Sequence, residues 1–269
     1  MFAFIVPFKP KRNSKNWYFD CYHLNNTLES LLHQTNQDFQ VFVIFHEEPI
    51  NKIRNSKITY LIFPYQYCEF DEITDREGAL RDNSYLTKKD VEYLFDQGRK
   101  QLFGAQFAKD NGYEFIMCID ADDYVSKNLV AFVDSHKKIN NVGWFVNKGY
   151  YYLLKQKVFL RQPYSMNTIC GSTHILHNDL IPTVDFGNLK LGAHNFFSNH
   201  GYLTTLIKTE YAKELKPLPF YAIIYTITEI NWSMTASKLK GGSFYYKIKY
   251  LIRRVLFSGA IRKRFYICN

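Results

Sequence analysis

The sequence predicts an α/β fold, with a mostly parallel central sheet and helices on both faces. Two observations carry this prediction. A continuous apolar run of buried-strand type, "FAFIVPF", is followed by a helix-patterned stretch and then by two more such runs, "FQVFVIF" and "ITYLIF". Strand, helix, strand in that order gives βαβ units with a right-handed crossover. Further on, the apolar run Phe115 to Ile119 ends in "DADDY", which places Asp120, Asp122 and Asp123 within four positions. Open α/β sheets bind ligands at the carboxyl ends of their strands, so this run marks both a central strand and a site.

Taken in order, the first strand leads into "KPKRNSKN", a basic loop without glycine. Leu24, Leu28, Leu31 and Leu32 recur at helical spacing, with "NTLE" (Asn26 to Glu29) as a start signal. The second strand ends in "HEEP", and the third follows a short linker. Residues 64–89 are polar and irregular, too long for an ordinary connection and so expected to be an inserted or functional loop. A helix over Lys88 to Lys109 then leads through "NGYE" into the carboxylate-tipped strand. Residues 1–125 form a nucleotide-binding type of α/β half, residues 126–235 the rest of the same domain, and residues 236–269 a basic tail.

Composition sets the limits. A chain of 269 residues that is 46% hydrophobic buries a real core, and its 17% aromatic content is expected to serve packing. The five cysteines, Cys21, Cys68, Cys118, Cys170 and Cys268, have no metal-ligand spacing, which points to free thiols in a reducing compartment. The opening apolar run is too short for a signal sequence, and no stretch reaches the ~20 apolar residues of a membrane span. A cytoplasmic protein is expected. Nine of the 34 basic residues lie between Lys238 and Arg264, and the remaining 25 equal the 25 acidic ones. The body is neutral, and the tail holds the whole excess.

In an extended segment, Asp120 and Asp122 project to the same side. Two carboxylates that close together repel, and a divalent cation removes the conflict. The competing reading is that Asp122 or Asp123 caps a helix starting near Ser126.

With "FAFIVPF", "LNNTLESLLHQTNQDFQVFVIF" and "NGYEFIMC" around it, "IDADD" resembles the inverting family 2 glycosyltransferases and their GT-A fold, over roughly residues 2 to 135. The resemblance implies a DxD element in which Asp122 binds manganese or magnesium directly. Asp120 would contact the ribose or hold metal-bound water. Glu47 and Glu48 stand where the family reads the base, flanked by the Pro7-Phe8 backbone, although the family's usual motif there is DDGS. Arg99 and Lys100 are candidates for the phosphates, or else a solvated helix face. The second half would form the acceptor pocket, with the Gly171-Ser172 turn beside the sugar. Where the family carries an acidic base, this chain has His194-Asn195. His194 is therefore one candidate for taking the acceptor proton, and Asp185 is the other.

In the tail, Phe244, Ile248, Leu251, Ile252 and Val255 share one helical face, while Lys247, Lys249, Arg253 and Arg254 lie on the other side. That pattern suits an anionic membrane surface, on the cytoplasmic face of the inner membrane, or a helix packed on the domain. No nucleic-acid motif accompanies it. The expected function is transfer of a sugar from a nucleotide-sugar, a UDP-sugar first, to a hydroxyl of a glycan or lipid-linked oligosaccharide acceptor of the capsule or lipopolysaccharide O-antigen class. A catalytically silent sugar- or nucleotide-binding scaffold and a nucleotidyltransferase are the alternatives.

Overall fold

A computed structural model describes residues 1–77, 86–228, 252–256 and 258–267. Its main sheet has seven strands in the order β10-β6-β9-β4-β1-β2-β3, the mostly parallel arrangement expected. β1 (Phe2–Pro7), β2 (Phe39–Phe45), β3 (Ile58–Ile62) and β4 (Phe115–Cys118) are mutually parallel. β9 (His174–His177) runs antiparallel to both β4 and β6 (Gly143–Phe145), and β10 (Lys216–Pro217) pairs parallel with β6. The carboxylate-tipped strand β4 is the middle strand of seven. The second half of the chain thus completes the sheet that the first half begins.

Strands β1 and β2 are buried on both faces, which is why they are continuously apolar. One face packs on α1 (Trp17–Leu32) through Leu24, Leu28 and Leu31, and the other on α2 (Lys88–Asp110) through Leu102, Ala105 and Ala108. Helix α1 starts ten residues earlier than the "NTLE" signal predicts. Asn16 caps it by accepting from the Phe19 N–H at 3.1 Å, and Thr27 is buried inside the helix. Helix α2 approaches the sheet through Gly104, where a Cβ would lie 2.5 Å from Ile5 Cγ2. Gly104→Val is expected to cost on the order of 2–3 kcal/mol by overpacking, read as a lower urea midpoint with unchanged slope.

A second sheet, in the order β5-β11-β7-β8, is built from β5 (Tyr124–Val125), β11 (Tyr221–Ile227), β7 (Lys148–Leu153) and β8 (Val158–Gln162). The helix predicted from Phe244 lies mostly outside the described residues. Of its described residues, Arg253 donates to Gln162 Oε1 at 2.8 Å, Arg254 forms a β-bridge with Leu160 of β8, and Ile252 is 74% exposed. After α3 (Leu129–His136) and α4 (His200–Glu210), the last helix α5 (Gly259–Phe265) buries Ile261 and Phe265 and leaves Lys263 and Arg264 exposed. Among the described residues no helix is long and apolar enough to cross a membrane, and Cys21, Cys68, Cys118 and Cys170 are free and buried.

Candidate active site

The parallel neighbours β4, β1 and β2 end side by side, which brings Asp120, the Pro7-Phe8 backbone and His46-Glu47 to one edge of the sheet. A single turn of α2 ties these three ends together. Gln97 donates to Asp120 Oδ1 at 2.8 Å, and Lys100 donates to the Phe8 carbonyl at 2.8 Å and to Asp96 Oδ2 at 2.7 Å. Asp96 Oδ1 lies 2.6 Å from His46 Nε2. Positions 93, 96, 97 and 100 share one face of the helix, so one rigid element sets the floor of the crevice.

Asp120 to Asp123 form a turn, closed by the Asp123 N–H donating to the Asp120 carbonyl at 3.1 Å. This corrects the extended geometry expected for the segment. Turn curvature, not strand alternation, places Asp122 close enough to act on Asp120. The helix-cap reading is also corrected: α3 starts after Asn128, well past the turn. Asp123 is fully buried and accepts from Ser172 Oγ at 2.7 Å, Cys170 Sγ at 3.1 Å and the Thr226 N–H at 3.1 Å. It is the staple that pins the turn to both sheets. Ser172 Oγ also accepts from the Asp120 N–H at 2.8 Å. Ser172→Ala removes both bonds inside the core and is expected to cost about 1–3 kcal/mol, measured by chemical denaturation.

Burial, then the charge of Asp122, pushes the Asp120 carboxyl up to about 7, against a smaller lowering by the Gln97 hydrogen bond. Burial and the fields of Asp120, Asp122 and Asp96 raise the Tyr93 phenol well above its usual range, so it stays a hydrogen-bond donor. Gly171 flanks the turn; a Cβ there would lie 3.1 Å from Asp120 Oδ2.

The remaining candidates are placed differently. The buried Arg99 donates to the Gln66 and Phe186 carbonyls at 3.1 and 2.9 Å and lies over the rings of Phe63, Tyr65 and Phe95. Lys100 is buried as well, so neither forms the solvated helix face. Their contacts are to backbone carbonyls, Asp96, Cys68 and aromatic rings. Glu47 Oε2 accepts from the Lys11 N–H at 3.0 Å, holding the loop after β1 against the end of β2, while Glu48 pairs with Lys52. Asp185 is exposed, and its Oδ1 accepts from the Gly187 N–H at 2.8 Å. His194 is 1% exposed, stacked on Phe186 and edge-on to Phe95, with Nε2 donating to the Asn188 carbonyl at 2.6 Å. Burial holds its imidazole below the usual value.

A hard divalent cation fits this chemistry. Asp120 and Asp122 are oxygen donors whose mutual repulsion a cation relieves. Among the described residues no group of three or more His, Cys, Asp or Glu side chains is arranged to hold a metal. The cation's remaining ligands would therefore be ligand oxygens and water, as is common for magnesium.

The fold and site define an α/β protein with an acidic turn at the crevice of its central strands. No known family profile and no curated protein matches the chain. Among solved structures it is similar to S. aureus TarS 1-349 in complex with UDP, with a TM-score of 0.46 and 11% identity over 84% of this chain and 60% of that one. The same TarS fragment in complex with UDP-GlcNAc gives 0.42 and 14%, over 86% and 59%. The chain thus spans about 60% of the TarS fragment's length. A putative nucleotide-diphospho-sugar transferase from Desulfovibrio desulfuricans G20 gives 0.41 and 10%, over 93% of this chain and 92% of that one.

Proposed function

We propose that the chain is a glycosyltransferase that moves a sugar from a nucleotide-diphosphate donor, a UDP-sugar first, to a hydroxyl of a cell-surface glycan precursor. The observation that carries this reading is the turn at the end of β4, where two carboxylates meet in the crevice and one has its proton affinity raised by burial and by the other. A diphosphate binds such a site only together with a divalent cation, which supplies charge neutralisation for the departing phosphate. Asp120 and Asp122 would hold that cation, and Gly171 leaves room beside Asp120.

In an inverting transfer the acceptor oxygen forms a bond to the anomeric carbon while the bond to the diphosphate breaks, and the electron pair leaves with the phosphate. The hydroxyl proton passes to a base. Of the two candidates, Asp185 is open to an acceptor, and His194 is enclosed by Phe186 and Phe95. On this reading Asp185→Asn lowers kcat by about 10²-fold or more. His194→Gln acts chiefly on stability.

The test is a donor panel. Full-length protein is incubated with manganese or magnesium and UDP-, GDP- or dTDP-sugars, with and without lipid-linked oligosaccharide acceptors, and release of nucleoside diphosphate is followed. Metal-dependent release from one donor supports the transferase. Metal-dependent nucleotide binding without release, with every acceptor tried, favours the silent scaffold, a reading for which the burial of His194 speaks.

A further inference from the structure

The second sheet carries a charge imbalance of its own. Its β7–β8 hairpin, Lys148 to Gln162, contains four cations and no acid, and β5 and β11 contain no charged residue. The described residues of the C-terminal segment, 252–256 and 258–267, add five cations and again no acid. Alternation along β8 turns the exposed Arg161 to the same face as Phe159, and on that face Ile261 and Phe265 of α5 pack against Phe159, Tyr150 and Tyr152. With those two residues turned inward, Lys263 falls on the opposite side of the helix, and both it and Arg264 are exposed. Burial raises the Tyr150 phenol, and the fields of Arg264 and Arg161 both oppose that rise, which gathers the two guanidinium groups about one hydroxyl. From α1 one acid, Glu29, reaches the cavity that Lys157 and Tyr266 also line. It offsets only a small part of the excess.

The segment before α5 adds apolar surface to this charge. Val255 packs inward on the Phe159 cluster, and its N–H donates to the Phe159 carbonyl at 2.9 Å, so the chain follows the edge of β8. On either side of it Ile252 and Leu256 are 74% and 79% exposed, with the exposed Arg254 between them. A single exposed aliphatic side chain is ordinary. Two of them around an arginine, on a sheet that supplies cations and no acid, combine the two features an interfacial surface needs.

We propose that the second sheet docks on an anionic lipid bilayer, through Ile252, Arg254 and Leu256 and through the outer side of α5. Cations gain from the negative potential of the headgroup layer, and the aliphatic side chains gain by entering the acyl boundary. A nucleic acid would engage the cations and leave Ile252 and Leu256 in water. The proposal is independent of the transferase reading. Since Asp123 accepts from the Thr226 N–H of β11, docking by this sheet also fixes where the carboxylate turn stands relative to the bilayer, whatever that turn binds.

Flotation of the full-length protein with vesicles tests the surface. The protein is expected to float with phosphatidylcholine vesicles that contain about one-quarter phosphatidylglycerol, to stay behind with pure phosphatidylcholine, and to be released by salt. Lys263→Gln/Arg264→Gln should lower the partition coefficient roughly twentyfold, about fivefold for each cation removed. Ile252→Ser/Leu256→Ser should lower it about tenfold with Tm unchanged, because both side chains are exposed. Failure to float with the anionic vesicles, equal flotation with pure phosphatidylcholine, or insensitivity to either double variant would overturn the docking surface. Tighter binding to a short DNA duplex than to the anionic vesicles would also overturn it, in favour of nucleic acid.

Discussion

Asp122→Ala is expected to reduce kcat/KM for sugar transfer by about 10³-fold, roughly 4 kcal/mol, while the protein stays folded. The magnitude follows from removing one of two oxygen donors where phosphate charge develops. Asp123 holds the turn through Ser172, Cys170 and Thr226, and those bonds remain in the variant. The proton titration supplies an independent readout. In the wild type without cation, the folded pKa of Asp120 is raised to about 7 from 3.8. The folded state therefore binds more protons than the unfolded state across that window, and stability falls as pH rises through it. Added manganese should raise Tm more at pH 8 than at pH 6, because the proton competes for the same carboxylate. In Asp122→Ala one cause of the raised value is gone, so the pH dependence of Tm should shift downward and the manganese response should shrink. A variant with full activity and an unchanged manganese response would sink the assignment of this turn.

Asp96→Ala is expected to cost about 3–5 kcal/mol of stability. Asp96 and Lys100 are buried at 3% and 0% exposure, and the carboxylate binds both Lys100 and His46. Desolvation raises its pKa, but the bonds to His46 and Lys100 outweigh this and hold it below the usual range. A carboxyl lowered on folding stabilises above its unfolded value, and that contribution is lost as pH falls through the folded one. Removing Asp96 alone strands a buried ammonium. The double variant Asp96→Leu/Lys100→Met removes both charges and should recover much of the loss, by urea denaturation. Recovery of stability without recovery of nucleotide affinity would separate the network's structural role from its place at the strand ends.

The strands were legible because burial on both faces leaves an unbroken apolar run, and "FQVFVIF" matches β2 residue for residue. The start of α1 was not, because "NTLE" offers a capping pattern and the tertiary structure buries it mid-helix. Arg99 and Lys100 were picked out by position, but position on a helix does not tell a ligand contact from a backbone contact. Asp96, Gln97 and Tyr93 carry no motif at all. Their one signal was the spacing that puts them on the same helical face as Lys100.

The sequence by itself determined the fold class, the central place of the "FIMCIDADDY" strand and the carboxylates at its tip, since these follow from hydrophobic runs and local charge. Only the tertiary structure decided which aspartate staples the turn and which faces the crevice, because Ser172, Cys170 and Thr226 lie 47 to 103 residues away from Asp123. It likewise enclosed His194 and buried His23 with neither ring nitrogen hydrogen-bonded. Burial and partnership depend on what folds against a side chain, and local spacing does not carry that information.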